Sequence, residues 1–139
     1  CGGGGLAAGL ALSCPEAAIH VVEPEGWDMV GQAIASGHIV AASANAPKTI
    51  CDALQPTATK AINLSVLKDR AEAGVTVTDE EVREAQRWAF ANLRIVVEPG
   101  GAAALAAALC GKVPLDEGAI IMITGGNADP VAFARTIGG

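Results

Sequence analysis

Cys1-Gly2-Gly3-Gly4-Gly5-Leu6, followed by Ala7-Ala8-Gly9-Leu10-Ala11-Leu12-Ser13, is the stretch on which the fold turns. The glycines place no Cβ in the way of a close ligand and open backbone angles that other residues avoid. The segment after them is apolar and helix-favouring, and it predicts a helix from Leu6 to Ser13. A glycine loop that opens a helix points free N–H groups and the positive end of the helix dipole outward, which makes an anion site, most often for phosphate. The competing reading is a flexible terminal glycine tract.

The chain has 139 residues, enough for one domain with a real core. Half of it is hydrophobic (51%) but only 3% is aromatic, a composition of small side chains suited to close helix-on-sheet packing. The net charge of −6 and the lack of a basic run argue against nucleic acid or an anionic membrane as partner. The longest apolar runs are far short of a membrane span. The first residues carry no charged signal-peptide region, and a cytoplasmic protein is expected. The chain lacks an initiator Met and begins inside what reads as a strand-to-helix turn, which suggests a piece of a longer protein. Cys1, Cys14, Cys51 and Cys110 form no C-x-x-C pair, and His20 and His38 lie far from any cysteine cluster, so no zinc pattern is present. Reduced, buried thiols are expected.

The remaining elements follow in order. Ala18 to Val22 reads as a buried parallel strand leading into Glu23-Pro24. Trp27 to Ser36 reads as a helix stopped by Gly37, His38 to Ala42 as a short strand, and Ser43 to Gln55 as an ordered loop. Pro56 precedes a helical stretch through Lys60, Leu64, Leu67 and Arg70, closed by Gly74. Val75 to Val77 is a short strand. Thr78 and Glu81 form a capping-box pattern before Val82, Ala85, Ala89 and Leu93, which share one helical face. Pro99 is placed for the first position of the Gly100–Leu109 helix. Gly118 to Ile123 is the most strand-like run of the chain, and Asp129-Pro130 opens a last helix. Alternating strands and helices imply an α/β fold: a mostly parallel sheet flanked by helices, with ligands at the carboxyl ends of its strands.

Two glycine turns then fall on one rim of the sheet, Gly2 to Gly5 and Thr124 to Asn127. One suits a phosphate, and the other admits a flat ring without an intervening side chain. A dinucleotide site is a rival reading, since Gly2-x-Gly4-x-x-Ala7 fits the loose fingerprint and Glu23 ends the next strand at the distance of a ribose-binding carboxylate.

Gly2-Gly3-Gly4-Gly5-Leu6, Val22-Glu23-Pro24, Thr49-Ile50-Cys51-Asp52-Ala53-Leu54, Val97-Glu98-Pro99-Gly100-Gly101 and Thr124-Gly125-Gly126-Asn127 resemble, in this order, the pyridoxal-phosphate serine/threonine dehydratases of the tryptophan-synthase-β fold type. The resemblance spans the whole chain but only the C-terminal part of such an enzyme's large domain. It implies that the amides of Gly2, Gly3, Gly4, Gly5 and Leu6 hold the cofactor phosphate. It also implies that the Thr124 hydroxyl, beside Gly125, bonds the pyridine nitrogen, where the family commonly has Ser. Glu98 matches an acidic residue near the ring, although the helix dipole favours a carboxylate there in any case. Glu23 matches a divalent-cation ligand of serine-racemase-like members, but Met29 stands where their second carboxylate belongs. Asn127 matches a residue near a nucleotide effector in some relatives, and equally suits a turn.

The lysine that joins the cofactor in this family lies in an N-terminal portion absent from the chain, and Lys48, Lys60, Lys68 and Lys112 do not match it. No catalytic residue is therefore assigned within 1–139, and the chain alone is expected to be inactive. The resemblance implies a parent lyase that takes water from a small hydroxy amino acid to give a 2-oxo acid and ammonia, commonly as a homodimer. A racemase of serine or hydroxyaspartate type, a dinucleotide-binding oxidoreductase module and a non-catalytic fragment are the alternatives.

Overall fold

The computed structural model describes residues 1–138. The elements are α1 (Gly5–Ser13), β1 (Val22–Pro24), α2 (Met29–Ser36), α3 (Ala61–Arg70), β2 (Val75–Val77), α4 (Asp79–Trp88), α5 (Pro99–Leu109) and α6 (Pro130–Gly138). A 3-10 turn covers Asp52–Leu54, and a π turn over Ala89–Leu93 continues α4.

β1 and β2 pair in parallel, with Glu23 opposite Thr76. The pairing is flanked by a parallel bridge from Ile19 to Ala71 and by hydrogen bonds from Val75 N to Val21 O and from Glu25 N to Val77 O. The period-2 alternation of a strand sorts this segment to two sides. Val21 packs with Ala8, Ala11, Val30 and Leu67 from α1, α2 and α3. Val22 packs with Val77, Val82, Ala85 and the Ala-rich face of α5. Glu23 thus returns to the side of α2. Gly31 and Gly74 lie in contact there, a Cβ on Gly74 standing 2.5 Å from the Gly31 Cα, which lets α2 press against the start of β2.

The marked ends of α2, α4, α5 and α6 follow their sequence signals, whereas α3 runs only from Ala61 to Arg70 and stops short of Gly74. Gly37 closes α2 in the left-handed region, φ 74°. Thr78 and Glu81 form the full capping box at α4. Pro99 opens α5, whose residues Gly101 to Ala103 and Leu105 to Ala108 are all buried. Asp129 Oδ1 accepts from Ala132 N at 2.7 Å at the start of α6, and Phe133 meets Phe90 edge to face at 5.7 Å between centroids.

Three expectations are corrected. Leu93 is 46% exposed, because the π turn rotates it off the buried face of α4. His38 to Ala42 contributes only one antiparallel bridge, Ala41 to Ala58. Gly118 to Ile123 forms no strand. It keeps the alternation of one, with Ile121 and Ile123 against the core and Ile120 84% exposed, but no neighbour among the described residues supplies a hydrogen-bonding ladder. Among the described residues the hydrogen-bonded sheet is consequently the β1–β2 pair.

Candidate active site

The glycine stretch is built as a helix opening. Gly4 caps α1 in the left-handed region, φ 87°, and a Cβ there would also stand 3.0 Å from Leu67 Cδ1. Asn63 Nδ2 donates to Gly3 O at 2.7 Å and fixes the bend from α3. A Cβ on Gly3 would meet nothing within 4 Å, so this glycine borders open space. Among the described residues, no protein acceptor takes the amides of Gly2 to Ala7, and the first turn of α1 has no acidic residue. These free donors at the positive end of a nine-residue helix have the chemistry of an anion cup.

The second bend is built on the start of α5. Glu98 is its N-cap residue, and Glu98 N donates to Gly125 O at 2.9 Å. Thr124 N in turn reaches Gly101 O at 3.4 Å. A Cβ on Gly101 would stand 1.4 Å from Thr124 O, and one on Gly125 2.1 Å from Glu98 Oε1. Both glycines are therefore demanded by close approach, and Glu98, Thr124 and Gly125 come together at the start of α5. A cavity of about 840 Å³ opens beside them, lined in part by Asp52, Ala53, Gln86, Glu98, Gly125 and Asn127.

The glycine bend and the start of α5 meet the same intervening piece of chain. A Cβ on Gly2 would lie 3.6 Å from Ala53 O, and one on Gly100 would lie 3.2 Å from Leu54 Cγ. The Asp52–Leu54 turn therefore separates the glycine bend from the start of α5. Thr49 and Asp79, which hold that turn, and Asn63, which holds Gly3, were missed in sequence. An Asp after a Thr cap is an ordinary helix start, so Asp79 carries no signal in the sequence.

Glu23 has a different task from either of those expected. It is fully buried, and its carboxylate accepts from Val30 N at 2.9 Å and Gly31 N at 2.8 Å, so it caps α2 in place of Asp28, whose own side chain does not. Burial pushes its carboxyl up to about 7 against the opposing pull of those two amides. So placed, it is not available to a ribose. Nor does it suit a divalent cation: the apolar Met29 is buried beside it, and no group of three His, Cys, Asp or Glu side chains gathers among the described residues. The expected cation site is withdrawn.

Lys48, Lys60 and Lys68 are exposed, whereas Lys112 is tied down, donating to Thr76 O at 3.0 Å and Glu81 Oε2 at 2.7 Å. Burial raises the Cys51 thiol to about 11, which leaves it protonated and inert. No helix among the described residues is long and apolar enough to cross a membrane.

The family model described as "Pyridoxal-phosphate dependent enzyme" matches residues 1–125. The chain belongs to that family. The serine racemase of Schizosaccharomyces pombe is 36% identical over 96% of this chain and 42% of its own length. The L-threo-3-hydroxyaspartate ammonia-lyase of Saccharomyces cerevisiae is 33% identical over 99% of this chain and 43% of its own. The crystal structure of the threonine deaminase from T.th. superposes with a TM-score of 0.83 at 32% identity, covering 93% of this chain and 48% of that one. The fold is thus that of part of these pyridoxal-phosphate enzymes, and the chain spans less than half the length of each of the three.

Proposed function

We propose that this chain is the C-terminal part of a pyridoxal-phosphate ammonia-lyase that removes water from a small hydroxy amino acid, leaving a 2-oxo acid and ammonia. The observation that carries the reading is the junction of Thr124 and Gly125 with Glu98 and Gly101, beside a cavity, within a chain of this family.

In this reading the amides of Gly2 to Gly5 and of Leu6 bind the cofactor phosphate, assisted by the dipole of α1. The hydroxyl of Thr124 would hold the ring nitrogen, and the missing Cβ of Gly125 leaves the space that the Glu98 carboxylate occupies beside it. Glu98 would border the ring from the start of α5. When bound, pyridoxal phosphate withdraws electrons from the substrate Cα. A neutral hydroxyl partner leaves the ring nitrogen largely unprotonated, which weakens that withdrawal and suits a reaction in which the β-hydroxyl departs promptly. The lysine that joins the cofactor belongs to an N-terminal portion, so residues 1–139 alone do not turn over substrate. Lys112 is held by Thr76 and Glu81, away from any such role.

Racemisation is the second reading, favoured by the 36% identity to a serine racemase. Both reactions begin with removal of the α-proton and differ in whether the β-hydroxyl leaves. The test is to supply the full-length protein with L-serine, L-threonine or L-threo-3-hydroxyaspartate and assay ammonia, 2-oxo acid and the D-isomer. Ammonia with 2-oxo acid supports the lyase. A D-isomer without ammonia replaces it by the racemase, and no product from any of them overturns both.

A further inference from the structure

Asp79 opens α4, yet its carboxylate faces away from the helix it begins. Its Oδ1 accepts from the Thr49 hydroxyl at 2.5 Å, and its two oxygens take Ile50 N at 3.2 Å each. The Thr49 hydroxyl also accepts from Cys51 N at 3.2 Å, and Gln55 Nε2 donates to Thr49 O at 3.3 Å. These bonds tie the entrance of the Asp52–Leu54 turn to a rigid helix start thirty residues away. The turn itself touches the glycine bend, through Ala53 O at Gly2, and the start of α5, through Leu54 at Gly100.

We propose that Asp79, acting through Thr49, is a positioning residue that sets the spacing between the glycine bend and the start of α5, and hence the fit of a ligand that bridges the two. This rests on the cofactor reading given above. Pyridoxal phosphate would span from the glycine bend to the start of α5, whereas inorganic phosphate would occupy the glycine bend alone. Loosening the turn therefore weakens the cofactor and spares phosphate.

The experiment uses the full-length apo-protein with Thr49→Val, Thr49→Ser and Asp79→Ala. Pyridoxal phosphate binding is titrated by absorbance, and inorganic phosphate is measured as its competitor. Losing these bonds is expected to weaken cofactor binding about tenfold in Thr49→Val and Asp79→Ala. The phosphate inhibition constant should stay within about twofold, and Thr49→Ser should restore wild-type binding. Hydrogen exchange at Ile50 to Leu54 in the apo-protein should quicken about tenfold in Thr49→Val, a readout that needs no cofactor. Equal cofactor affinity in wild type and Thr49→Val overturns the positioning role alone. A parallel loss of phosphate and cofactor overturns it too, because the turn then merely supports the fold. Wild-type protein that binds no pyridoxal phosphate overturns the cofactor reading itself, and the exchange rates still show whether the Asp79–Thr49 tie holds the turn.

Discussion

The carbonyl oxygen of Thr124 rests on the Cα of Gly101, where a Cβ would stand 1.4 Å away. No rotamer relieves such a clash, because both partners are backbone. Gly101→Ala must push the Thr124–Gly125 bend away from the start of α5 or distort the helix. Overpacking of this kind costs roughly 1–3 kcal/mol. Gly100→Ala is the control, since its Cβ meets a movable Leu54 side chain at 3.2 Å. Urea midpoints of the full-length protein should fall clearly for Gly101→Ala and little for Gly100→Ala. Equal midpoints for the two variants would remove the claim that the close approach is enforced.

The glycine bend separates stability from binding at neighbouring positions. Gly4→Ala forces φ 87° on a residue with a Cβ and sets that atom 3.0 Å from Leu67 Cδ1, so a loss of about 1–2 kcal/mol is expected. Gly3→Ala places its Cβ in open space, and stability should change by less than about 0.5 kcal/mol. If a phosphate seats against these amides, the same Cβ intrudes on it, and pyridoxal phosphate affinity should drop about tenfold. Gly3→Ala with wild-type stability and wild-type cofactor affinity would count against the phosphate cup.

Glu23 gives a pH signature. Its carboxyl ionises at about 7 in the fold, against an ordinary value of 4.5. Between those values the folded state holds a proton that the unfolded chain releases, so stability falls as pH rises. The contribution is full below about 4.5 and gone above about 7, and its size is on the order of 3 kcal/mol at most. Glu23→Gln should cancel this slope while losing one acceptor to the amides of Val30 and Gly31. Urea midpoints of both proteins from pH 4.5 to 8 test it, and a constant gap between the two curves would rule it out.

Much of this architecture was legible from local chemistry. Gly37, Thr78 with Glu81, Pro99, and Asp129 each announced a helix end through a mechanism confined to one turn of chain, and each stands where it was read. The order of motifs singled out Glu98, Thr124 and Gly125, but their junction rests on close backbone approach that no local rule contains. What was illegible depends on partners distant in sequence. The alternation of Gly118 to Ile123 resembles a strand, but a strand needs a ladder, and none is present among the described residues. Glu23 reads equally as ribose ligand, cation ligand or cap until α2 is seen to turn its amides onto it. Asp79 and Thr49 sit thirty residues apart in unremarkable contexts, and only packing joins them.

The capping box of α4 carries a second load. Glu81 Oε2 accepts from Thr78 N at 2.7 Å and from Lys112 Nζ at 2.7 Å, and Lys112 also reaches Thr76 O. One carboxylate thus closes the start of α4 and helps fasten the segment after α5 beside β2. Thr78→Ala removes only the bond to Glu81 N and should cost about 1 kcal/mol, while Thr78→Ser should be near neutral. Lys112→Met should cost no more than about 1 kcal/mol, because the pair is partly exposed, and its effect should shrink at high salt. Glu81→Ala breaks both and should cost more than either variant. In a double-mutant cycle, Lys112→Met should have less effect in the Glu81→Ala background than in wild type. Additive urea midpoints across that cycle, at low salt, would show that the carboxylate does not couple the cap to Lys112.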